Sequence, residues 1–155
     1  MSNWFKYNSQ RKIIREDRKY LEAKARRLLK SYLLAEWSEK NQYYEVVAGA
    51  ADACRPEKSD PNLNDTQIAE ATSDLALRVV RRREQTASED GENHLAALIT
   101  DAYATVAIAY RRAAGVYTID LPMQQLGTAA VHLLTMANSY MMARPKADQE
   151  PDIPE

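Results

Sequence analysis

The sequence predicts an all-α, single-domain bundle of four to five helices. Apolar residues recur with the 3.6-residue period along most of the chain, and no strict alternation long enough for a strand occurs. Only four glycines interrupt 155 residues, too few for a loop-rich or collagen-like chain. One stretch, Leu95 to Ala109, is apolar nearly all round, as expected of a helix buried at the centre of a bundle.

The first helix is expected from about Ser9 to Trp37. Its apolar stripe reads Ile14, Leu21, Ala25, Leu28, Tyr32 and Ala35, spaced so that these side chains share one sector. A second helix spans roughly 40–54, with Ser38 to Asn41 forming either a turn or a weak point in one long helix. Pro56 to Asp65 reads as a loop on its Pro, Ser, Asp and Asn content. Asn64 and Gln67 have capping-box spacing and open a third helix over about 65–85, whose inner face is Ile68, Thr72, Leu75, Ala76 and Val79. Gln85 to Gly91 reads as a polar connector with a second capping pair, Thr86 and Glu89. The fourth helix covers about 92–114 and stops at Gly115, a left-handed cap. After a short crossing, Val116 to Asp120, Pro122 suits the first turn of a fifth helix. That helix carries Leu126, Ala130, Leu133, Ala137 and Tyr140 inward and ends before Pro145. Residues 1–143 thus form the bundle, and the acidic, proline-rich 144–155 reads as a disordered tail.

Composition narrows the function classes. One cysteine, Cys54, and two histidines cannot supply a four-ligand structural zinc site. The N-terminal segment has no apolar core of a secretory signal, and no apolar run reaches membrane-spanning length, so an intracellular, unsecreted protein is expected. No P-loop, G-x-G-x-x-G or G-x-S-x-G motif is present, and the reading implies no cofactor.

Charge is distributed unevenly. Residues 1–35 hold ten bases and three acids, a net of +7, which leaves −8 for the rest of a chain whose total is −1. Arg11, Arg15, Arg18, Lys19, Arg26 and Lys30 flank the apolar stripe of the first helix, and Arg81, Arg82 and Arg83 form a second cluster on the third. If the two clusters lay side by side they would make one electropositive strip. Such a surface can engage the phosphate backbone of a nucleic acid, releasing counterions, or the acidic surface of a protein, a second copy of this chain included. No zinc spacing, RRM aromatic pattern or helix-turn-helix glycine turn accompanies it, so base-specific readout is not expected. Nine tyrosines against one phenylalanine favour half-buried rings of the kind found at interfaces. Together these features point to a binding rather than a catalytic protein: an assembly or adaptor subunit, of the kind found among helical viral or phage structural proteins and nucleoprotein complexes.

Asp101 interrupts the most apolar helix, on the side that also carries His94, Thr105 and Arg112. A carboxylate there needs a partner, and an arginine from another helix is the expected one. Four residues separate Glu70 from Asp74 and Asp74 from Arg78, which suits an ion-pair ladder. The segments Glu70-Ala71-Thr72-Ser73-Asp74 and Leu98-Ile99-Thr100-Asp101 also resemble the EExxE and ExxD carboxylate pairs of all-α nucleotide pyrophosphohydrolases. Ala71 and Leu98 stand where that family has glutamates. The resemblance implies an alternative, a Mg²⁺-dependent enzyme whose metal ligands would be Glu70, Asp74 and Asp101.

Overall fold

The computed structural model describes the backbone of residues 2–56, 62–91, 93–115 and 121–143, and side chains over 18–56, 62–87, 91, 93–115 and 122–143. The expected tail, 144–155, and the crossing at 116–120 lie outside the described residues. Five helices are seen among those described: α1 (Ser2–Leu34), α2 (Trp37–Cys54), α3 (Asp65–Asp90), α4 (His94–Ala113) and α5 (Leu121–Ala143). The described residues contain no strand, and the fold is the all-α bundle the periodicity predicts. No described helix is long and apolar enough to cross a membrane.

α4 is the axis of the bundle: it packs against each of the other four helices. Ala102, Ala104, Val106, Ala107 and Ile108 are fully buried on it, as expected of a helix with no polar face. α1 contributes Leu21, Ala25 and Leu28, the predicted stripe, and α5 contributes Ala130, Leu133 and Ala137. Gly115 has φ +79, the left-handed conformation expected after α4.

Three boundaries differ from those the sequence predicts. α1 begins at Ser2, not Ser9, and the break between α1 and α2 falls at Ala35 and Glu36, not at Ser38 to Asn41. There the Ala35 N–H donates to the Tyr32 carbonyl at 3.2 Å and Glu36 is extended. The break seats Tyr32 against Tyr43 and Tyr44 of α2, and the Tyr32 and Tyr44 hydroxyls hydrogen-bond each other. α3 runs on to Asp90, so the expected connector at Gln85 is helix. The Thr86 hydroxyl donates back to the Arg82 carbonyl at 3.0 Å instead of capping α4. The cap of α4 is Asn93, which accepts from the Ala96 N–H at 2.7 Å.

The inner face of α3 is also rotated. Ala69, Thr72, Ser73, Ala76, Leu77 and Val80 are buried, while Leu75 is 36% exposed and Val79 half-buried. The reason is polar: the Ser73 hydroxyl donates to the Ala107 carbonyl at 3.0 Å and accepts from Arg111 Nε at 2.8 Å. A serine satisfied in this way can be buried, and its small side chain lets α3 lie close on α4.

Candidate functional site

α1 divides its cations between two sides of the Leu21–Ala25–Leu28 stripe. By the roughly 100° step of a helix, Tyr20, Lys24, Arg27 and Ser31 fall on one side. Their contacts lead to α3, α4 and α2. The Tyr20 hydroxyl donates to Glu84, Lys24 pairs with the same carboxylate, and Arg27 donates to Asp101. Arg18, Lys19, Glu22 and Arg26 fall on the other side, and Lys30 points directly away from the core. Lys19, Arg26 and Lys30 are exposed and Arg18 is half-buried. Arg26 bonds Glu22 one turn away, at 3.1 and 2.7 Å, on the solvent face of the same helix. The side chains of Arg11 and Arg15 lie outside the described residues.

The second cluster meets α1 on its inward-facing side. The Arg81 guanidinium lies 5.7 Å from the centre of the Tyr20 ring, and that of Arg83 lies 5.8 Å from the Tyr103 ring. Arg82 is exposed and, with Arg83, lines a cleft of about 420 Å³ between α3 and the start of α4. Arg81 thus meets α1 at Tyr20, on the side of Lys24 and Arg27, and Glu84 sits beside Arg81–Arg83 as the anion that binds Tyr20 and Lys24.

Asp101 has the expected kind of partner. Arg27 Nε donates to Oδ2 at 2.8 Å and Nη2 to Oδ1 at 2.9 Å, a fork-to-fork pair on a carboxylate whose side chain is only 7% exposed. Arg27, Ser31, Tyr43, His94 and Asp101 line a cleft of about 200 Å³ where α1, α2 and α4 converge. Burial, followed by the nearby negative charge of Glu39, raises the pKa of the Tyr43 phenol; Asp101 adds to the rise, and the hydrogen bond to Ser31 opposes it. With both Asp101 oxygens held by one guanidinium, the group acts as a clamp between α1 and α4.

The three acids of the enzyme reading are held apart. Asp101 faces α1, Asp74 pairs with Arg111 at 3.4 Å, and Glu70 is exposed. Among the described residues no group of three or more His, Cys, Asp or Glu side chains could hold a metal ion. His132 is exposed, and Cys54 is a buried free thiol.

Sequence reasoning misses Arg27 as the partner of Asp101. The helical step is the available signal, since Arg27 falls on the same side of α1 as Tyr20 and Ser31. It also misses the corner between α1 and α2, where Leu33 is 73% exposed, Leu34 77% and Trp37 69%. Four of the nine tyrosines, Tyr32, Tyr43, Tyr44 and Tyr140, pack ring on ring between α1, α2 and α5. No family model, curated protein or solved structure matches the chain.

Proposed function

We propose that this protein is a helical assembly or adaptor subunit that docks through the outward face of α1 on an anionic surface. That surface is either the backbone of a nucleic acid or the acidic face of a protein, and no base is read. One observation carries the reading. Lys24 and Arg27 pair across the bundle with Glu84 and Asp101, while Lys19 and Lys30 are exposed on the other sides of α1 and Arg26, exposed beside them, pairs with Glu22 of its own helix. Folding ties the first set to α3 and α4 and leaves the second on the solvent face, a distribution that favours long-range electrostatic association over stability of the fold. The enzyme alternative gains no comparable support, because its carboxylates are separated and two of them are bound by arginines.

Docking of this kind weakens steeply with salt. Each phosphate neutralised contributes a slope of about −0.9 to the dependence of log affinity on log salt for duplex DNA. The test compares the wild type with Lys19→Glu/Arg26→Glu on immobilised heparin and on duplexes of unrelated sequence. Salt-sensitive retention that is lost in the double variant, and equal for all duplexes, is the expected result. Retention unchanged by the double variant, or a strong preference among duplexes, overturns the reading.

A further inference from the structure

We propose that the cleft between the end of α3 and the start of α4 binds a small phosphate monoester with an apolar body. The inference makes no use of the exposed cations of α1. Val79, Arg83 and Ala87 stand one turn apart on α3, with Arg82 and Thr86 in the neighbouring row, so this wall runs about 12 Å. Ala96 and Thr100, one turn apart on α4, form the facing wall. The space between them holds about 420 Å³, the size of a small-molecule site.

The two arginines of this wall lack the partners that arginine has elsewhere in the fold. Arg27 and Arg111 pair with carboxylates, and Arg112 donates to a carbonyl. Among the described residues, Arg82 and Arg83 make no ion pair and donate no hydrogen bond through their guanidinium groups. Arg83 is also half-buried, its guanidinium over the Tyr103 ring, a contact that satisfies none of its N–H donors. A partly desolvated cation of this kind calls for an anion. Two adjacent forks select phosphate over carboxylate. A carboxylate has two oxygens and one charge, enough for one guanidinium, whereas a phosphate monoester offers three oxygens and close to two charges.

The rest of the lining describes the body of the ligand. Val79, Ala87 and Ala96 present methyl groups. The Thr86 and Thr100 hydroxyls donate to the Arg82 and Ala96 carbonyls at 3.0 and 2.9 Å, so toward a ligand they can only accept. A phosphate on an apolar body that carries N–H or O–H donors meets all three demands, and a nucleoside monophosphate is a simple probe of that chemistry.

The experiment titrates adenosine 5′-monophosphate, adenosine and inorganic phosphate into the full-length chain by calorimetry. Saturable binding of the nucleotide is expected, with each fragment binding far more weakly. Arg82→Gln and Arg83→Gln should each weaken the nucleotide about tenfold or more. Ala87→Leu, which fills the cleft without changing charge, should weaken it as well. Arg55→Gln, which removes an equal charge from an exposed site at the end of α2, should bind like wild type. Nucleotide binding that does not saturate, phosphate that binds as tightly as the nucleotide, or binding that survives Ala87→Leu overturns the inference. A duplex without terminal phosphates should not compete; competition would assign both arginines to backbone docking and sink the proposal. Heparin retention on the same samples reports the α1 face alone, so the two readings fail separately.

Discussion

Arg27 and Asp101 lie 74 residues apart in the chain and meet through two hydrogen bonds of 2.8 and 2.9 Å. The carboxylate is buried and the guanidinium half-exposed, so the pair is an uneven one. Removing the arginine strands a charge in the core, whereas removing the carboxylate returns a cation to water. The first loss should therefore be the larger. Arg27→Met is expected to cost about 2–3 kcal/mol in urea denaturation and Asp101→Asn about 1–2 kcal/mol. Their double variant should lose less than the sum of the two. Strict additivity would show that the two side chains do not act as a unit.

Gly127 is a site where a helix excludes even a methyl group. A Cβ there would lie 2.7 Å from Cδ, 3.1 Å from Cβ and 3.2 Å from Cγ of Arg112. The stem of Arg112 cannot yield easily, because its Nη1 also donates to the Gln124 carbonyl at 3.2 Å and its Cβ is fixed to the backbone. Alanine improves helix propensity by about 1 kcal/mol, but overpacking costs about 1–3 kcal/mol. Gly127→Ala should lower stability by about 1 kcal/mol in the wild type and by less in an Arg112→Ala background, where the 2.7 Å contact with Cδ is gone and the 3.1 Å contact with Cβ remains. An equal cost in both backgrounds would locate it elsewhere.

The Cys54 thiol is buried, and burial raises its pKa from an ordinary 9.0 to about 11. Two pH units leave roughly a hundredfold less thiolate below pH 9, so modification by a thiol reagent at pH 8 should be slowed at least that much until the protein unfolds. Burial also raises the Tyr43 and Tyr32 phenols above their ordinary 10.0, and for Tyr32 the hydrogen bond with Tyr44 adds to the rise. The sign follows from linkage. The unfolded chain ionises these groups first, so stability is intact below pH 9 and declines as pH rises through 9–11. A melting temperature that is flat or rising across that window would contradict the assignment.

Two asparagines start helices by the same means. Asn64 accepts from the Gln67 N–H at 2.8 Å while the Gln67 side chain accepts from the Asn64 N–H at 2.9 Å, and Asn93 accepts from the Ala96 N–H at 2.7 Å. Replacing either with alanine should cost about 1 kcal/mol, seen as a melting temperature lower by about 2–4 °C. Serine should restore most of the loss in each case.

Periodicity by itself makes the central place of α4 and the inward stripe of α1 readable, because those positions answer to burial alone. Asn64 with Gln67 is equally plain, since a capping box is a local pattern. Features set by tertiary contact are not readable in this way. The break at Ala35 has neither glycine nor proline to mark it; the packing of Tyr32 on α2 sets it. Leu75 has the spacing of a core residue, yet the bonds Ser73 makes to α4 turn the helix and leave Leu75 at the surface. The same limit applies to the site. That Asp101 needs an arginine follows from the cost of burying charge, but which arginine depends on how α1 lies across α4. Lys19, Arg26 and Lys30 are legible as cations, while the contact of Arg81 with Tyr20 depends on the placement of α3.

The axial helix of this bundle is the fourth in chain order, and that order has a consequence at the ribosome. Elongation at roughly 5–20 residues per second takes about 4–15 s to add the 74 residues between Arg27 and Asp101. Through that interval the N-terminal segment has emerged without the element it closes on, its lipophilic stripe uncovered and the positive charges that will later be neutralised still unmatched. The newborn chain is at its most adhesive, toward polyanions and chaperones alike, before the scaffold that divides those charges exists.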